Sequence, residues 1–151
     1  MAGHDISAGG LITTLLEMCF SNMEGGMEIS LNKIKEDDII KILFAENPGI
    51  VIQVKDKHKE EVKKILEDAG IGYVKLGKPT EERHILVEKG DATYQFGIDY
   101  LRDVWYSTSY LLDRKQSMNG CAKKRLRELQ ETTFGICIRQ IIHRQTFTIR
   151  P

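Results

Sequence analysis

Apolar residues from Leu11 to Phe20 recur at helical spacing. Leu11, Ile12, Leu15, Leu16, Met18, Cys19 and Phe20 make a wide stripe that predicts a buried helix face. Gly25-Gly26 punctuates its end. Met27, Ile29 and Leu31 then alternate with Glu28 and Ser30, the period of a half-buried strand. Glu36-Asp37-Asp38 opens a second helix over 37–46, because acids in a first turn suit the positive end of the helix dipole. Ile39, Ile40, Ile42, Leu43 and Phe44 supply its apolar face. Asn47-Pro48-Gly49 forces a turn, and the β-branched run at 50–54 reads as a central strand.

The second half of the chain follows the same logic. Residues 56–69 predict a helix with Val62, Ile65 and Leu66 inward and pairs such as Glu60–Lys64 outside, stopped by Gly70. A strand over 71–76 precedes a loop around Lys78-Pro79-Thr80. Strands at 83–88 and 92–97 are joined by Lys89-Gly90-Asp91, a hairpin signal. Residues 98–116 form the last helix, which carries Leu101, Val104, Trp105, Tyr106, Leu111 and Leu112, with Trp105 expected in the core. The order α-β-α-β-α-β-β-β-α predicts an α/β (α+β) domain over residues 1–122, a mixed sheet with flanking helices. The crossover from strand 27–31 through helix 37–46 to strand 50–54 should be right-handed.

No apolar run approaches the roughly 20 residues that span a bilayer. The start lacks the basic-then-apolar order of a signal peptide, so a cytoplasmic protein without a membrane partner is expected. Cys19, Cys121 and Cys137 have no metal-ligand spacing and read as free thiols, Cys19 in the core. His58 and His84 read as surface or strand-face residues, and Glu36-Asp37-Asp38 as a helix start rather than a metal site.

The formal net charge is zero, but its distribution is uneven. Residues 1–122 hold fifteen Lys/Arg against twenty Asp/Glu, whereas 123–151 hold seven Lys/Arg against two Glu. The basic end could contact nucleic-acid phosphates, although no nucleic-acid partner is expected.

The chemistry concentrates at the start. His4-Asp5-Ile6-Ser7-Ala8-Gly9-Gly10-Leu11 runs a polar cluster and two glycines into the first helix. Amides at a helix start have no partner within the helix and can hold an anion, and glycines let it approach. Gly9, Gly10 and the Ser7 hydroxyl are the expected phosphate cradle. Asp5 could orient a donor or hold Mg²⁺, and His4 could donate to a phosphate or hydroxyl oxygen. The purely structural alternative is that Ser7 or Gly10 only caps the helix.

The same string resembles the His-Asp-x-Ser-Asp-Gly-Gly-Leu segment of the phosphoribosylformylglycinamidine synthase family. Glu17-Met18-Cys19-Phe20, the stretch Phe44-Ala45-Glu46-Asn47-Pro48-Gly49-Ile50-Val51-Ile52-Gln53-Val54, Leu76-Gly77 and Trp105-Tyr106-Ser107-Thr108-Ser109-Tyr110 continue the resemblance in order over about residues 3–125. Ala8 departs from it, standing where the family often has an acid. The resemblance implies the C-terminal α/β domain of the second aminoimidazole-ribonucleotide-synthetase-like half of that enzyme. The whole enzyme would be an ATP-dependent C–N ligase of purine biosynthesis. It would use Mg²⁺ and ammonia from glutamine to turn formylglycinamide ribonucleotide into its amidine. His4, Asp5, Ser7, Gly9 and Gly10 would then contact ligand phosphate or ribose.

The resemblance also implies what is missing. The remaining synthetase and glutaminase domains would be the partners. The fragment alone should be inactive, bind no cofactor tightly and tend to self-associate through uncovered apolar surface. The abrupt entry at Met1 is expected of an engineered piece of a longer protein. Residues 123–151 do not continue the resemblance; a one-nucleotide slip near Leu126 would restore a family-like linker, so the tail is a candidate frameshift product. Its apolar residues are also compatible with an added strand. Two other readings are a free-standing α/β ligand-binding module, and a domain of selenophosphate synthetase, thiamine phosphate kinase or a hydrogenase-maturation protein. The extended His-Asp-x-Ser and Trp-Tyr-Ser-Thr-Ser segments argue against the relatives in that second group.

Overall fold

A computed structural model describes residues 2–118 and 120–131, and the backbone of 145–149. Seven strands form one mixed sheet: β1 (Ala2–Ile6), β2 (Gly26–Ser30), β3 (Gly49–Lys55), β4 (Val74–Thr80), β5 (His84–Lys89), β6 (Ala92–Gly97) and β7 (Gln145–Ile149). Their order across the sheet is β1-β3-β7-β4-β2-β5-β6. Among the described residues, only the β2–β5 pair is parallel. The helices are α1 (Gly10–Phe20), α2 (Ile39–Phe44), α3 (Lys59–Asp68, after a 3₁₀ turn at Asp56–His58), α4 (Ile98–Gln116) and α5 (Cys121–Glu131).

The core lies between α1 and the sheet. Leu15 from the helix clusters with Ile29, Val51, Leu76, Ile85 and Val87 from four strands and with Leu31 just past β2, all almost fully buried. Ile98 at the start of α4 closes the same cluster. The mixed α/β class is as expected, and several details are corrected. β1 was not anticipated: His4 and Asp5 lie on a strand paired antiparallel with β3, not in a loop. β2 and β3 run in opposite senses with β4 and β7 between them, so the expected parallel βαβ unit does not form. Loop-forming Lys78-Pro79-Thr80 is instead the end of β4, where Pro79 opposes Met27. On that strand β7 pairs only as far as Gly77, so the donor missing at Pro79 breaks no bond on that side.

Local stops and starts match their chemistry. The Asp38 carboxylate accepts from the Ile40 and Lys41 amides and caps α2. Gly90 adopts φ 58° in the β5–β6 hairpin, as its turn requires. On α3, Ile65 is 59% exposed rather than inward, and the i,i+4 ion pair is Lys63–Glu67.

Trp105 is half exposed, not core, with its ring 5.5 Å from that of Phe20. Tyr100, Val104, Leu111 and Leu112 share that exposure, so much of the apolar face of α4 faces solvent. The division at residue 122 falls inside α5, which docks on α4 through Arg125–Asp113 and Gln130–Asp103 contacts. Cys137 and residues 134–143, read as lacking an amphipathic frame, lie outside the described residues; Gln145–Ile149 adds a strand between β3 and β4.

Candidate functional site

Three pieces of chain meet at one end of the sheet: the end of β1, the start of α1 and the loop after α2. Antiparallel pairing of Ile6 with Gly49 and of Asp5 with Ile50 fixes the first against the third. Gly10 fixes the second. A Cβ there would stand 2.7 Å from the Leu43 carbonyl oxygen and from the Phe44 backbone, at φ 70°. The α1 start can approach the end of α2 only because that atom is missing.

Gly9 is the residue before α1 and is left-handed, with φ 84°. Its N–H donates to the Glu46 carboxylate at 2.9 Å. The Gly10 N–H donates to the Ser7 carbonyl at 3.0 Å and closes the turn. Both cradle amides thus have acceptors from the chain itself, and one of those acceptors is an anionic oxygen. Thr13 and Thr14 brace the turn: the Thr13 hydroxyl donates to the Gly9 carbonyl, and the buried Thr14 hydroxyl lies 3.1 Å from the Asp5 carbonyl. That bond ties β1 to α1.

The remaining predicted residues flank this turn. Ser7 is exposed, and its hydroxyl is free to face a ligand. His4 is half buried; its Nδ1 donates to the Asp5 carbonyl at 2.8 Å, and its Nε2 stands 3.3 Å from the Glu17 carboxylate. The Asp5 carboxylate is 74% exposed and also lies 3.7 Å from the His4 ring. Among the described residues no three His, Cys, Asp or Glu side chains group as metal ligands. A single exposed carboxylate fits a Mg²⁺ ion that takes its other ligands from water, substrate or another domain.

An open depression of about 630 Å³ adjoins the turn, lined by Ile6, Leu11, Ile40, Phe44, Ala45 and Pro48 among others. Glu17 and Glu46 were missed as site residues. Both stand inside the segments that carry the family resemblance, which was the signal available. Cys19 is no nucleophile: burial pushes its thiol up to about 12, against the smaller opposing pull of Arg83.

Residues 1–89 match the family of AIR synthase related protein, C-terminal domain. The chain belongs to that family. The human phosphoribosylformylglycinamidine synthase is 35% identical over 134 residues, 86% of this chain and 10% of that protein. The probable chloroplastic/mitochondrial phosphoribosylformylglycinamidine synthase of Arabidopsis thaliana is 31% identical over 81% of the chain and 9% of its own length. The phosphoribosylformylglycinamidine synthase subunit PurL of Aquifex aeolicus is 36% identical over 68% of the chain and 14% of its own length. This AIR synthase related domain therefore spans about a tenth of the relatives it matches. None of its helices, among the described residues, is long and apolar enough to cross a membrane.

Proposed function

We propose that this chain is the C-terminal α/β domain of the second synthetase half of a cytoplasmic phosphoribosylformylglycinamidine synthase. In it, the domain forms one wall of a site for a phosphorylated ligand. The observation that supports this reading is the match of residues 1–89 to the AIR synthase related family; at the turn, a ligand phosphate would replace the Glu46 carboxylate oxygen on the Gly9 amide. Ser7 would add its hydroxyl, and His4, whose Nδ1 is held by the Asp5 carbonyl, would offer its Nε2–H to the ligand in place of the Glu17 carboxylate. Gly10 shapes the turn and lets α2 approach. Asp5 would offer a carboxylate oxygen toward Mg²⁺.

The whole reaction would activate the amide oxygen of formylglycinamide ribonucleotide by phosphorylation from ATP and displace phosphate with ammonia from glutamine, Mg²⁺ neutralising the polyphosphate charge. This chain's own part would be to bind and orient the ligand. The opposite wall, the glutaminase and its nucleophile belong to the remaining domains, so the fragment would be inactive alone. Calorimetry with ATP and with formylglycinamide ribonucleotide tests this. A half-site should bind either ligand more weakly than about 100 µM. Low-micromolar binding by the isolated chain would make it a free-standing sensor instead.

A further inference from the structure

Between β3 and β4 the sheet has a gap one strand wide, and β7 fills it. β3 and β4 both run antiparallel to β7, so they are parallel to each other, and no ladder joins them among the described residues. On one side Val51 through Lys55 oppose Ile149 through Gln145. On the other, Val74, Lys75 and Gly77 oppose Ile149, Thr148 and Phe147.

Both faces of the gap are covered. Val51 on β3 and Val74 and Leu76 on β4 belong to the core cluster with α1. On the opposite face a cavity of about 50 Å³ is lined by Val54 of β3, Lys75 of β4 and Val62 and Leu66 of α3. A strand with water on neither face disfavours charge. Gln145–Ile149 is an uncharged stretch of a basic tail, bounded by Arg144 and Arg150. Left empty, the gap would strand the N–H and C=O groups of two inner strand edges, so the sheet requires an occupant.

Walls and occupant differ in origin. β3 and β4 lie inside residues 1–89, the part that matches the family; β7 lies outside it, joined to α5 through residues 132–144. We propose that this gap is a seat for an extended, uncharged strand from elsewhere in a full-length synthase, and that β7 is a replaceable stand-in for it. Backbone hydrogen bonds to both walls supply the affinity; the antiparallel sense and the lack of charge supply the selectivity. Only the source of the natural strand rests on the proposed function. The test below measures strand binding and no nucleotide, so its failure leaves the ligand reading standing, and failure of that reading leaves the seat.

A labelled peptide of residues 143–151 is the probe. In the 151-residue chain, tethered β7 competes at an effective concentration of about 1 mM, so the peptide should bind only near that concentration. Phe147→Pro removes a ladder donor from β7 and should tighten peptide binding by at least about tenfold. The peptide carrying Phe147→Pro should not bind. A second measurement leaves β7 intact. With Cys121 and Cys137 replaced by serine, Ile52→Cys should be captured, in oxidised glutathione, by the peptide carrying Thr148→Cys. Those two positions are directly opposed, within disulfide reach. Thr93→Cys, exposed on the β6 edge, should not be captured. This readout decides even if the proline chain fails to fold. Equal peptide binding by wild type and a folded Phe147→Pro chain, no capture at Ile52→Cys, or equal capture at Thr93→Cys would each overturn the proposal.

Discussion

The Glu46 carboxylate accepts a hydrogen bond from the Gly9 amide at 2.9 Å, bridging 37 positions of chain. An internal anion thus occupies the donor that an external phosphate would use. Both groups are exposed, so exchange of one oxygen for the other needs no opening of the core. Removing the carboxylate should cost about 1 kcal/mol of stability. Glu46→Ala should therefore unfold at lower urea than wild type, and added inorganic phosphate should raise its melting temperature more than that of wild type. Equal phosphate response in both proteins would mean that the Gly9 amide does not discriminate for anions.

Gly10 makes a sharper structural prediction. Alanine there must hold φ near 70° and place Cβ against the backbone of Leu43 and Phe44. Backbone atoms cannot yield as a flexible side chain can. Gly10→Ala should lose about 2–4 kcal/mol in chemical denaturation, by strain and by separating α1 from α2. A loss below about 0.5 kcal/mol would show that the two helices are not held this close.

The α4–α5 contact should be acid-labile. The Arg125 hydrogen bond, helped by its charge, holds the Asp113 carboxyl below its ordinary value near 3.8. A group with a depressed folded pKa stabilises fully above the unfolded value and loses that stabilisation as pH falls through the folded one. Hydrogen-exchange protection in α5 should fall as pH drops past 3.8, after correction for intrinsic exchange. Asp113→Asn should flatten that fall. An identical acid profile in the variant would assign the effect elsewhere.

Local patterns were legible where one residue type had one reason to be there. The 98–116 helix and the Gly90 hairpin were readable because periodicity and φ preference act over a few residues; α2 is shorter than expected, Ile39–Phe44 rather than 37–46, with no acid in its first turn and Asp38 acting as its cap. β1 was hidden because an exposed edge strand needs no apolar alternation, so His4 and Asp5 read as loop chemistry. Pro79 concealed the end of β4 for the opposite reason: proline usually ends a strand, yet here the flanking strand has already stopped. Trp105 and its neighbours on α4 looked like core because their apolar character was visible while the absence of a cover was not. The polar string from His4 to Gly10 was readable as a site. Its partners Glu17 and Glu46 were not, since contacts across tens of residues depend on how β1 and α2 dock.

Ser7 offers the most direct measurement of the central claim. Its hydroxyl is exposed and does no structural work, so replacing it isolates ligand contact. In a complete synthase carrying this segment, Ser7→Ala should leave the melting temperature unchanged and lower kcat/KM for formylglycinamide ribonucleotide by about tenfold, the effect of losing one hydrogen bond to a charged group. A variant with wild-type kcat/KM would contradict the placement of this turn in the ligand site.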